Sequence, residues 1–129
     1  MSIRNTYKTG AKWESIVGYS RGVRIGNVIE ISGTCSVDAT GAPYAPGEPY
    51  LQTQRALEII LNAITELGGK IEDVIRTRIY VTNINDWEQV GKAHGEIFHS
   101  IGPVTTMVEV SKLISPEYVV EIEATAIVS

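Results

Sequence analysis

Charged and hydroxyl side chains recur at two-residue spacing in two segments of this chain. VIRTRIYVT at residues 74–82 carries Arg76, Arg78 and Tyr80, and VVEIEA at residues 119–124 carries Glu121 and Glu123. Successive residues of a strand point to opposite faces, so each set shares one face. A carboxylate sheltered in a cleft is a common means of taking a proton from water. Burying such charges unpaired costs several kcal/mol each, roughly. Both signs lie in adjacent segments, so Arg76 and Arg78 are expected to pair with glutamates. The face is then either hydrated or covered by a partner subunit.

Other reactive residue types carry less. His94 lies on the apolar stripe of a helix and reads as a core-edge residue, and His99 reads as a surface residue. There is no HExxH and no Cys/His cluster, so no metal is expected. No glycine-rich segment matches a dinucleotide or phosphate loop, and no cofactor is implied. Trp13 and Trp87 read as packing anchors, with Trp13 near enough to Tyr19 in sequence to line a cleft. Cys35 is the single cysteine. It excludes an intrachain disulfide framework, suits a reducing compartment such as the cytoplasm, and reads by default as a small buried thiol.

A chain of 129 residues is expected to form one domain, residues 1–129, with a core that needs no staples. The composition, 43% hydrophobic and 20% charged, is that of a soluble globule. The opening MSIRNTYKTG has no apolar stretch, so no secretory signal is expected. No apolar run approaches the ~20 residues that span a bilayer. A formal charge of -4 argues against a nucleic-acid surface, which concentrates basic residues.

The elements that must position these residues follow from periodicity. GVRIGNVIEISG predicts a hairpin, Val23–Ile25 and Val28–Ser32, around Gly26-Asn27. ATGAPYAPGEPY, residues 39–50, reads as a surface loop. Leu57, Ile60, Leu61, Ile64 and Leu67 set a helix over 51–68, stopped by Gly68-Gly69. Residues 74–82 alternate as a strand, with Ile75, Thr77, Ile79 and Val81 on one side. A second helix is predicted over 86–98 with Trp87, Val90, His94 and Ile97 on one stripe. Strands follow at 104–110 and 118–128. The order gives an α+β layer with two helices on one face of a mixed sheet. The other face is expected to carry Arg76, Arg78, Tyr80, Glu121 and Glu123, with Thr105, Met107 and Glu109 or their neighbours.

Four segments, in this order and spacing, resemble the RidA family, the reactive-intermediate deaminases also called YjgF-like proteins. They are YSRGVRIGNVIEISG at 19–33, GGKIEDVIRTRIYVTNINDWEQV at 68–90, PVTTMVEVSKLI at 103–114 and VVEIEATAI at 119–127. The resemblance implies a chorismate mutase-like fold and a homotrimer with a barrel-like core and ligand clefts between subunits. It also implies hydrolysis of enamines and imines to ketoacids and ammonium; other members have been described as endoribonucleases or translation inhibitors. Tyr19 falls at the family's cleft tyrosine, Ser32 and Gly33 at the end of its second strand, and Glu121 at the acid that positions water. Thr105 falls where the family's enzymes carry the arginine that binds the substrate carboxylate, so the resemblance points to a divergent, arginine-lacking subgroup.

Imine hydrolysis needs a proton donor, an activated water and a grip on the substrate. Glu121 and Tyr19 are the expected catalytic pair, and Ser32, Gly33, Thr105 and Arg24 the expected substrate-binding set. A bidentate arginine–carboxylate contact contributes about 1.5–3 kcal/mol, which a threonine hydroxyl does not replace. Either Arg21 or Arg24 enters the cleft from the hairpin, or the substrate is no amino-acid-derived anion. Three functions follow: a hydrolytic deaminase with an altered substrate, a non-catalytic trimer binding a small metabolite, or a ribonuclease, which the acidic balance disfavours.

Overall fold

The computed structural model describes residues 3–129. Its eight principal elements are β1 (Arg4–Tyr7), β2 (Gly22–Ile25), β3 (Val28–Thr34), α1 (Pro49–Glu66), β4 (Val74–Val81), α2 (Trp87–Phe98), β5 (Val104–Glu109) and β6 (Val120–Ile127). They build one six-stranded sheet in the order β1-β2-β3-β6-β4-β5. The β4–β5 pair is parallel and the other neighbours are antiparallel. Helix α2 crosses from β4 to β5, as a parallel pair requires. Both helices lie on one face, so the expected layer of two helices on a mixed sheet is what forms.

The predicted apolar stripe makes the core. Leu57, Ile60 and Ile64 of α1 are wholly buried against Ile29, Ile79, Ile122 and Ala126 of the sheet. Each such side chain contributes about 1.5–3 kcal/mol. Gly68, at φ +86°, ends α1 in the left-handed conformation, and the Gly69 amide returns to the Ile64 carbonyl at 2.9 Å. Gly26, at φ +60°, takes the first turn position between Ile25 and Val28. The turn is therefore of the type II′ that strand twist favours, and it fixes the hairpin register.

Two features depart from the sequence reading, and a third settles an alternative it left open. The N-terminal strand β1 adds to the edge of β2; its burial pattern is mostly exposed, so no alternation marks it. An extra residue in β4 shifts the register between Val74 and Arg76. Val74 turns inward and Ile75 is left 45% exposed, opposite to the expected alternation. In β5 it is the neighbours of Thr105, Met107 and Glu109 that reach the open face. Thr105 pairs with buried Thr77 and Met107 with buried Ile79, on the helix side. The neighbours Val104, Thr106 and Val108 join Arg76, Arg78 and Tyr80 on the open face. There the hydroxyl of Tyr80 donates to Glu123 at 2.6 Å, so a phenol rather than an arginine is Glu123's hydrogen-bonded partner.

Candidate functional site

A β-bulge makes the site. Ile31 pairs with Ala124 but Thr34 with Ile122, so β3 carries one residue more than β6 over this stretch. Gly33 lies in the bulge with the Glu121 carboxylate packed on its Cα. A Cβ there would collide with Oε2 and come within 3.1 Å of Cδ. The thiol of Cys35 donates to Oε1 of Glu121 at 3.5 Å. Burial, then the charge of Glu121 and this hydrogen bond, push the Cys35 thiol up to about 12. Cys35 is therefore a neutral donor to Glu121.

Arg21 enters from the start of β2. Its Nη1 donates to the Gly33 carbonyl at 2.7 Å, the Thr34 hydroxyl at 2.8 Å and the Ser32 carbonyl at 3.4 Å. Its Nη2 reaches the Tyr19 hydroxyl at 3.5 Å, and the guanidinium stands 5.7 Å from the Tyr19 ring centre. The arginine thus ties the bulge to Tyr19.

These groups open into a cavity of about 670 Å³. Glu121, Tyr19, Arg21, Gly33 and Cys35 line it together with Trp13, Ile59 and Tyr118. Two buried polar residues hold the walls. Glu14 accepts from the amide and hydroxyl of Thr9 and from the amide of Gly10, fastening the turn Glu14–Gly18 that follows Trp13. Burial opposes its ionisation, but these bonds and the Arg21 charge win, and its carboxyl lies below the usual value. Gln52, wholly buried on α1, donates to the carbonyls of Ala45 and Glu117 and accepts from the Val119 amide at 2.9 Å. It thereby seats Tyr118 in the wall.

The remaining expected site residues lie elsewhere. Arg24 is not on the cavity lining. It shares the helix-side face with buried Ile29, donates through Nη1 to the Leu67 carbonyl at 2.8 Å, and through Nε to the Gly26 carbonyl at 2.8 Å. It caps α1, because the carbonyls at a helix end lack partners. Ser32 spends its hydroxyl on the Ser20 carbonyl at 2.7 Å. Thr105 shares a 2.8 Å hydrogen bond with Thr77, and Thr77 another, also of 2.8 Å, with Nε2 of His94. Trp87 is 55% exposed rather than packed.

Arg55 and Tyr118 are lining residues that the sequence reading did not single out as site residues. Arg55 lies off the apolar repeat of its helix, and a polar residue there marks a wet side but not a cavity. Among the described residues, no group of three or more His, Cys, Asp or Glu is placed to hold a metal ion. No helix among the described residues is long and apolar enough to cross a membrane.

The family profile described as Endoribonuclease L-PSP matches residues 9–128. An uncharacterised protein of Streptomyces coelicolor is 37% identical over 92% of this chain and 88% of its own length. A RutC family protein of Pyrococcus abyssi is 30% identical over 84% of both chains. A crystal structure from Mycobacterium tuberculosis, described as a member of the highly conserved YjgF/YER057c/UK114 family, superposes with a TM-score of 0.86. It is 44% identical and covers 98% of this chain and 100% of that one. By sequence and by fold, the chain belongs to the Endoribonuclease L-PSP family, the RidA/YjgF-like proteins it was expected to join.

Proposed function

We propose that this protein is a cytoplasmic homotrimer whose clefts bind a small metabolite containing a C=N bond, and that it hydrolyses imines or enamines with a substrate altered from that of its carboxylate-binding relatives. One observation carries the reading: the Glu121 carboxylate, held by Cys35 over the Gly33 bulge, faces a cavity shared with Tyr19. In the reaction, water adds to the carbon of C=N while Glu121 takes its proton. The nitrogen receives that proton to give a carbinolamine; Glu121 then carries the hydroxyl proton to the nitrogen as the C–N bond breaks, and a ketone and ammonia leave. Tyr19, oriented by Arg21, holds water or substrate through its hydroxyl. Backbone carbonyls occupy Nη1 of Arg21, and Thr105 brings no charge, which is the reason for an altered substrate.

The open sheet face supports the trimer. It mixes Arg76, Arg78 and Tyr80 with exposed Val28, Val104 and Val108, the composition of a surface that a partner covers. Light scattering at the mass of three chains is expected, and a monomer would defeat this part. For the chemistry, ammonium release is followed from the imine of a neutral ketone and, for comparison, from dehydratase-generated 2-aminoacrylate, with the protein and with Glu121→Ala; the neutral imine is expected to react the faster. Some acceleration that Glu121→Ala removes is expected; acceleration untouched by that change would remove Glu121 from the mechanism. The second reading, a non-catalytic binding trimer, rests on Thr105. It is favoured if no C=N compound is turned over while a ketone still binds.

A further inference from the structure

We propose, resting on the reading of Glu121 as the base of an imine hydrolase, that the cavity takes carboxylate-free C=N compounds carrying a bulky apolar group, aryl or branched alkyl. Three observations converge. The first is room. A volume of about 670 Å³ lies within the range of about 300–1,000 Å³ typical of sites for drug-sized ligands, and a three-carbon imino acid leaves most of it empty.

The second is the apolar share of the lining, which comprises Trp13, Val17, Ile59, Ile114 and Tyr118. Of these, Ile114 is 73% exposed, Val17 68% and Trp13 44%, so apolar surface is open to whatever enters. An apolar group entering there leaves water and covers these side chains at once.

The third is charge. The guanidiniums on the lining belong to Arg21 and Arg55. Arg21 gives Nη1 to the Gly33 and Ser32 carbonyls and the Thr34 hydroxyl. Arg55 gives Nε to the Val37 carbonyl at 2.6 Å, and Glu58, one turn along the same helix, also lines the cavity. Glu121 and Asp38 add two more carboxylates. Asp38 accepts from the Thr40 hydroxyl and from the amides of Thr40 and Ala42, which favours its charged form. Three carboxylates against two guanidiniums leave the lining net negative, which disfavours an anion and suits a neutral imine or its protonated form.

Two ketones of the product class separate the cases. Phenylacetone and phenylpyruvate differ by a methyl group against a carboxylate. Calorimetric titration of the full chain is expected to give phenylacetone at least tenfold tighter binding, and Ile114→Asp, at an exposed position, is expected to weaken it about tenfold. Equal or tighter binding of phenylpyruvate overturns the proposal, as does indifference to Ile114→Asp, or no binding of either ketone at millimolar concentration. Ammonium release is measured separately. Tight phenylacetone binding without ammonium release from its imine defeats the hydrolase reading and upholds the ligand class. Ammonium release from 2-aminoacrylate without phenylacetone binding does the reverse.

Discussion

The Sγ of Cys35 and Oε1 of Glu121 stand 3.5 Å apart although 86 residues separate them in sequence. The pairing makes the thiol a donor and keeps it protonated, since a thiolate there would face the carboxylate. Burial is the larger cause of its rise from 9.0 to about 12, and the Glu121 charge comes next. At pH 8 the thiolate fraction is then about a thousandfold below that of an unperturbed cysteine. Iodoacetamide is expected to label Cys35 slowly at pH 8. Glu121→Gln removes the repelling charge but not the burial, so labelling accelerates only in part, about tenfold. Fast labelling of the unmodified protein would contradict the arrangement. Above pH 9 the unfolded chain gives up this proton and the folded one retains it. Stability therefore falls as pH rises from about 9 towards 12.

Gly33→Ala separates function from stability. The new Cβ collides with the end of the Glu121 side chain, which is flexible and can swing aside. The fold is expected to lose less than about 1 kcal/mol. The displaced carboxylate loses its Cys35 contact and its aim into the cavity, so turnover should fall about a hundredfold. Thermal melting and kinetics on the same sample check both halves. A large drop in melting temperature with activity retained would refute this account of Gly33.

His94 is a stability group. Its ring packs 4.7 Å from that of Phe98 and bonds the buried Thr77 hydroxyl, and burial alone lowers its pKa below 6.5. Below pH 6.5 the unfolded chain gains a proton that the folded one resists, so stability is lost as pH falls through this range. The melting temperature of the unmodified protein should drop more between pH 7 and 5 than that of His94→Gln. Parallel pH dependences would show that His94 contributes nothing to it.

Arg24→Ala tests its role as the cap of α1. Removing the cap on the Leu67 carbonyl should cost about 0.5–1.5 kcal/mol of stability. Ligand affinity should not change, because Arg24 lies off the cavity lining. A raised KM with an unchanged melting temperature would return Arg24 to the cleft.

The fold was legible where a pattern is local. Leu57, Ile60 and Ile64 repeat at helical spacing, and glycines mark the hairpin turn and the end of α1, so both helices and most strands could be placed. A bulge has no such signature: one inserted residue at Ile75 and another at Gly33 change the register without changing composition. Strand β1 was missed because an exposed edge strand shows no alternation. In the site, the resemblance picked out Tyr19, Gly33 and Glu121, all on the cavity lining. It could not show that Arg21 rather than Arg24 enters. That choice depends on Arg24 sharing its face with Ile29 and reaching the end of α1. Cys35 meets Glu121 only after β3 and β6 pair, which no local window contains.

The most direct test of the central claim is ammonium release from a C=N substrate by Glu121→Gln. The amide keeps the shape of the carboxylate and can still accept from Cys35, but it cannot take a proton from water. A loss of about a hundredfold or more in kcat is predicted, with phenylacetone affinity within a few-fold of the unmodified protein. Full activity in Glu121→Gln would contradict the assignment of Glu121 as the base.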